Sequence, residues 1–231
     1  MGRGIRRSLA AAAAAYLVPV AADATPVTVA GFTFAAGEEA FADDAVVVSG
    51  TVTGASGEQV RSTLVGSNLG DSIRVITPDV AVIEIAFTDN VIVNGPGTDL
   101  VIFELSGSAP PVGFADVNEK FEFSVLGGIG FSPFVEVVPV NTGFLAPHDS
   151  TLSAYVVEID LAAVGFSLGE TTDRVRIRLV DNLVTRSADP TALGALNSVP
   201  EPSAGLLLAL GLVSLALIER KRRSPAVSRV E

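Results

Sequence analysis

The stretch TDNVIVNGPGTDLVIFEL, residues 88–105, holds two apolar runs separated by turn-forming residues. Residues 91–93 and 100–105 are dominated by Val, Ile, Leu and Phe, which suit a pleated, half-buried surface. Between them, Asn94-Gly95-Pro96-Gly97-Thr98-Asp99 supplies the side chains that tighten a connection. The spacing predicts two strands and a short link. DLVIFEL is apolar at successive positions, leaving no face for water, so its strand is expected to sit centrally between two layers.

Working outward, RVRIRLV at 174–180 alternates strictly, with Arg174, Arg176 and Arg178 on one face and Val175, Ile177 and Leu179 on the other. Such a row of arginines could hold a sugar acid or a phosphate. In a chain this acidic it is expected to pair with carboxylates on neighbouring strands. Further strands are predicted at 45–53, 72–76, 81–87, 120–126, 134–138 and 155–161, with Gly, Pro, Asn and Asp punctuating the gaps. No long helical period occurs between residue 25 and the final apolar run. The pattern predicts an all-β ectodomain over residues 25–197, an antiparallel two-sheet sandwich of jelly-roll-like form.

Composition narrows the function classes. The 231 residues include 22 Gly, 13 Pro, no Trp and no Cys, which excludes disulfides and thiolate metal sites. Net charge is −11, and residues 25–200 carry 7 Lys plus Arg against 22 Asp plus Glu, or −15. Phosphate backbones would be repelled, so no nucleic-acid partner is expected.

The positive charge lies mostly at the two ends. Arg3, Arg6 and Arg7 precede an apolar run from Leu9 to Ala22, and Ala22-Asp23-Ala24 offers a small-x-small site. This layout predicts a signal peptide over 1–24, cut by signal peptidase to leave Thr25 first. At the other end, residues 204–218 contain no charge. As a helix they would span roughly 22 Å, short of the roughly 30 Å hydrocarbon thickness. Glu219 is then followed by Arg220, Lys221, Arg222 and Arg223, a basic anchor that the positive-inside rule holds in the cytoplasm. A transmembrane helix at 204–218 and a short cytoplasmic tail at 224–231 are expected. Ahead of the run, Pro200 and Pro202 fix φ and keep Val199-Pro200-Glu201-Pro202 extended.

Val199-Pro200-Glu201-Pro202, the brief apolar helix and the Arg-rich knot together resemble the PEP-CTERM sorting signal, here covering 198–223. The resemblance implies a substrate of exosortase, a membrane-embedded transpeptidase-like enzyme. It further implies an inner-membrane intermediate, release to the surface or extracellular matrix of a Gram-negative bacterium, and company with exopolysaccharide. The runs TDNVIVNGPGTDLVIFE, FVEVVPV and ADPTALGALNSVPEP also resemble an ectodomain found among PEP-CTERM surface proteins. Its pattern has a Gly-Pro-Gly-x-Asp turn, a strand ending in Phe-Glu and a final Ala-Leu-Asn, and it looks like a galactose-binding-type jelly roll. Here the approach to the first motif strand reads NLGDSIRVITPDVAVIEIAF in place of the usual Gly-rich sequence.

Catalytic signals are sparse. The single histidine, His148, stands beside Asp149 and Ser150, but sequence neighbours in extended chain point apart and do not make a triad. Paired carboxylates suffice for glycoside chemistry, with Asp89, Asp99, Glu104 and Glu136 as candidates. Asp99 and Glu104 are an odd number of positions apart and should face opposite ways. Calcium, which takes carboxylate, Asn and carbonyl oxygens, suits the acidic turns better. Asp43-Asp44, Asp89-Asn90, Asn94 with Asp99, and Asp181-Asn182 are the clusters, and Asp89, Asn90, Asn94, Asp99 and Asp181 the expected ligands. The composite expectation is an exported, non-enzymatic surface protein with carbohydrate or calcium binding; a glycan-active hydrolase or lyase is the alternative.

Overall fold

The computed structural model describes residues 24–53, 57–75, 79–106, 119–146, 152–181 and 188–200, with Leu212 and Ser214. Strands β1 (Val27–Val29), β2 (Phe32–Phe34), β3 (Asp44–Ser49) and β4 (Val52–Thr53) precede one short helix, α1 (Gly57–Leu64). Next come β5 (Arg74–Val75), β6 (Asp79–Ala86), β7 (Asn90–Val93), β8 (Leu100–Ser106) and β9 (Phe121–Gly127). They are followed by β10 (Gly130–Phe131), β11 (Val135–Val137), β12 (Val140–Leu145) and β13 (Ser153–Ile159). The last are β14 (Thr171–Thr172), β15 (Arg174–Asp181), β16 (Pro190–Ala195) and β17 (Ser198–Pro200).

Alternation builds the larger sheet. Its order is β10-β9-β15-β6-β3, with β11 also paired to β9, and the ladders are antiparallel. Val175, Ile177 and Leu179 of β15 and Ala81, Ile83 and Ile85 of β6 are wholly buried on one face. They meet Leu100, Ile102, Val157, Ile159 and Leu193 from the second sheet, ordered β12-β13-β8-β16. Two antiparallel sheets thus pack across one apolar layer, the predicted sandwich.

Strand β8 is buried along its whole length. Leu100 and Ile102 enter the layer between the sheets, while Val101, Phe103 and Leu105 enter a second core on the far side. The β1–β2 hairpin and the 3-10 turn Gly37–Ala40 close that core with Phe34 and Phe41, whose ring centroids lie 4.5 Å apart. Gly194 in β16 is required by the same contact: a Cβ there would come within 2.5 Å of the Phe34 ring. DLVIFEL therefore has apolar cover on both sides, as its composition predicts.

The departures have local causes. The 45–53 segment breaks at Gly50, whose φ of +80° divides β3 from β4. Helix α1 was not anticipated because its eight residues are too few to show a period, yet Val60 and Leu64 plug the main core. The hairpin β1–β2 is likewise made of three-residue strands. β12 was missed because most of it is exposed, and β16 because PTALGA is built from small residues. Strands β7 and β8 do not pair with each other: β7 belongs to a three-stranded sheet, β14-β7-β17, so the 94–99 link carries the chain from one sheet to another.

Ile102→Ala empties a site between the sheets and is expected to cost about 2–5 kcal/mol. Urea denaturation measures it, and a change within ~0.5 kcal/mol, the size of a surface substitution, would contradict the layer assignment.

Candidate processing site

One side chain organises the link between β7 and β8. Asp99 has no solvent exposure. Its Oδ1 accepts hydrogen bonds from Gly95 N–H at 2.7 Å and from Asn197 Nδ2 at 2.8 Å. Its Oδ2 accepts from Leu161 N–H at 2.9 Å. The Asp99 N–H donates to the Ile159 carbonyl at 2.9 Å, and its own carbonyl accepts from Leu196 N–H at 2.8 Å and Asn197 N–H at 3.4 Å. Burying a carboxylate is tolerable only when donors replace its water, and here the chain itself supplies them.

Local sequence permits this clasp. A Cβ on Gly95 would stand 2.5 Å from Asn197 Nδ2, so only glycine lets the amide reach the carboxylate. Gly97 takes a left-handed φ of +87° within the same link. Asn94 joins the 165–170 loop, its Nδ2 donating to the Phe166 carbonyl and its N–H to the Glu170 carbonyl, both at 2.8 Å. The Gly-Pro-Gly-x-Asp turn and the Ala-Leu-Asn near the tail, whose Asp99 and Asn197 are 98 residues apart in the chain, are the two halves of one contact.

Immediately after Asn197 the chain forms β17. It pairs antiparallel with β7 through Ser198↔Ile92, Val199↔Val91 and Pro200↔Asn90. With β14 on the other side of β7, β17 is an edge strand, where proline is tolerated. Val199 is 53% exposed. A boundary between Asn197 and Ser198 therefore cuts through a sheet, because backbone pairing carries the packed body on to Pro200. Ala24 and Thr25 lie just ahead of β1, Thr25 exposed, with its carbonyl so near Gly37 that a Cβ there would approach to 2.5 Å.

Several predicted residues lie outside the described ones: Ala22, His148, Asp149, Ser150, Asn182, Glu201, Pro202, Arg220, Lys221, Arg222 and Arg223. Of the run 204–218, Leu212 and Ser214 are described and are helical. Among the described residues no helix is long and apolar enough to cross a membrane.

The expected calcium ligands do not converge. Asp99 is committed to the clasp, Asn94 Nδ2 is held by the Phe166 carbonyl, and Asp181 ends β15 opposite Asp79. Asn90 is buried with a side-chain amide that meets no partner. Asp89 instead neighbours Asp43, whose Oδ2 accepts from Thr88 N–H at 2.6 Å and Asp89 N–H at 3.4 Å. Partial burial, then the charge and hydrogen bond of Asp43, then Glu39, push the Asp89 carboxyl up to about 6. Among the described residues no three His, Asp or Glu side chains are grouped to hold a cation. The carboxylates weighed for glycoside chemistry are equally scattered: Glu104 is buried in β8, and Glu136 pairs with Lys120 at 2.6 Å.

The arginine row pairs across strands, as expected. Glu84 on β6 takes Arg174 at 2.7 Å and Arg176 at 2.8 Å, while Arg178 meets Glu122 on β9. Arg176 also lies 3.8 Å from the Phe131 ring centroid and Arg178 4.5 Å from that of Phe134. Burial by itself would raise the Glu84 carboxyl, but the hydrogen bonds and charges of Arg176 and Arg174 outweigh it and hold it below the ordinary range. Next to this ladder a cleft of about 710 Å³ opens between the 127–133 hairpin and the 164–171 loop, lined by Ile129, Phe131, Phe166, Glu170 and Thr171.

Compared with known families, residues 198–223 match the PEP-CTERM protein-sorting motif. The motif begins at the first residue of β17 and marks the chain as an exosortase-targeted exported protein with a membrane-anchored intermediate. No curated protein sequence matches the chain. Sequence reasoning located Asp99 but missed its partners Leu161 and Asn197, the latter 98 residues away.

Asp99→Ala strands the N–H groups of Gly95 and Leu161 and the Asn197 amide, and a loss of several kcal/mol is expected at roughly 1–3 kcal/mol per buried unsatisfied group. Chemical denaturation tests it; a loss under ~1 kcal/mol, that of a single ordinary hydrogen bond, would refute the clasp. Two carboxylates give opposite pH signatures. Glu84, depressed in the fold, contributes stability above its unfolded value near 4.5 that is lost as pH falls through the lower folded value, so Glu84→Gln should flatten the acid limb of a Tm–pH curve. Asp89, raised from 3.8 to about 6, favours the fold below 3.8 and loses that contribution as pH rises through 6. Asp89→Asn should therefore raise Tm at neutral and alkaline pH but leave it unchanged in strong acid.

Proposed function

We propose that the mature ectodomain is a non-enzymatic component of the cell surface or extracellular matrix of a Gram-negative bacterium, held in association with exopolysaccharide. In this reading signal peptidase cuts before Thr25, exosortase removes the 204–218 segment, and the sandwich is the delivered product. The carrying observation is that the sorting motif is continuous with the last strand of a packed β body. Whatever the enzyme receives arrives attached to a folded domain, not to a long linker.

Two features support binding over turnover. None of Asp89, Asp99, Glu104 and Glu136 lines the cleft beside the arginine ladder, and Glu170 there accepts a hydrogen bond from the Ser167 N–H. The same cleft sets the apolar surfaces of Ile129, Phe131 and Phe166 beside polar Glu170 and Thr171, the mixture a sugar ring uses.

Mass spectrometry of the protein from cells and medium, with and without exosortase, reads both termini together. The expected product starts at Thr25 and lacks 204–218 only when exosortase is present; full-length protein in the medium would refute the sorting route. For the matrix role, retention on the producer's own polysaccharide is measured with calcium and with chelator. Phe166→Ala should weaken retention at least severalfold. No retention under either condition removes the polysaccharide reading, and turnover of that polysaccharide would establish the enzymatic alternative.

A further inference from the structure

We propose that the ectodomain itself gates its processing: β17 must unzip from β7 before the membrane-embedded processing enzyme can bind the sorting motif. The inference rests on the exosortase reading above and adds the conformational step that precedes it. Enzymes that act on a peptide segment need its backbone extended and free on the side they bind. Residues 198–200 are extended, but one edge is already paired with β7.

The geometry describes a short zipper behind a firm stop. Val93 N–H donates to the Asn197 carbonyl at 2.8 Å, so by the two-residue alternation of an antiparallel ladder Val199 turns its main chain toward β7 and Ser198 and Pro200 turn theirs outward. Pro200 has no N–H to offer in either direction. Three residues with such limited pairing open readily, as edge and terminal segments do. Opening cannot run back into the body, because Asn197 is clasped to Asp99 by its side-chain amide and Leu196 by its N–H.

Asn90 supplies a reason for the zipper to open. It stands in register with Pro200, is 1% exposed, and neither atom of its side-chain amide has a hydrogen-bond partner. A buried amide without partners penalises the closed state. Detaching β17 uncovers the end of β7 on which Asn90 sits and admits water to it. Pairing is thus complete enough to hold the motif in place and poor enough to yield it.

The test uses the full-length protein in producing cells. The chain has no cysteine, so Val91→Cys with Val199→Cys places a single thiol pair across β7 and β17. Directly opposed residues lie at the Cα spacing a disulfide spans. The oxidised form should keep residues 204–218 and remain in the membrane, with tail removal at least tenfold slower than in the same variant under reductant. A second variant leaves the motif intact: Asn90→Leu relieves the unpaired amide, stabilises the closed pairing and should slow tail removal severalfold. Equal, measurable processing of oxidised and reduced double variant overturns the gate, and so does an unchanged or faster rate in Asn90→Leu. Where the cysteines themselves abolish processing, the Asn90→Leu rate decides. If wild-type protein keeps its tail regardless of exosortase, the exosortase reading fails instead, which the wild-type lanes report separately.

Discussion

A carboxylate removed from water must be resolvated by the chain, and Asp99 obtains that resolvation from three separate places. Gly95 belongs to its own link, Leu161 follows β13, and Asn197 follows β16. Each donor is useful only when the other segments are already in position, so one side chain makes the ends of three strands interdependent. Loss of any one donor leaves the charge under-solvated in the interior, where that deficit is most expensive. The crossing from one sheet to another, the 3-10 turn Leu161–Val164 and the chain's approach to the sorting motif all take their positions from this point.

Around that clasp the molecule divides its labour by face. The apolar face of β15 stabilises the sandwich by burial, while its arginine face adds order more than energy, since partly exposed ion pairs are individually small. Stacking of Arg176 on Phe131 and of Arg178 on Phe134 spreads the ladder sideways and fixes the hairpin that walls the cleft. The acidic corner at Asp43 and Asp89 works the other way, holding like charges together at a turn that the Thr88 N–H has to secure.

Much of this architecture could be read from residue order. Alternation in RVRIRLV and the doubly apolar DLVIFEL identified a half-exposed strand and a central one, because burial imposes those patterns directly. The sorting motif was equally legible, being a linear signal. What escaped was whatever depends on distance along the chain. Nothing local in ALNSVP announces that Asn197 will meet Asp99 or that Val199 will pair with Val91. Short elements such as β1, β2 and α1 carry too few residues to express a period, and Gly194 interrupts the apolar run of PTALGA because Phe34 and Phe41 need the room. The acidic turns show the same limit: residue order does not tell that Asp89 will stand beside Asp43, that Asp181 will end β15 opposite Asp79, or that Asp99 will be taken up by the clasp.

The placement of β16 has a kinetic consequence. Central β8 is flanked by β13 on one side and β16 on the other, and β16 is synthesised after every other strand of the two packed sheets. Until that strand arrives, β8 presents an open edge in the middle of the future core, and its Val, Ile and Phe side chains invite pairing with foreign strands. Loop closure over some ninety residues makes the step slow as well as late. A nascent chain of this kind needs shelter for its whole length, and its longest hazard ends only moments before its address label appears.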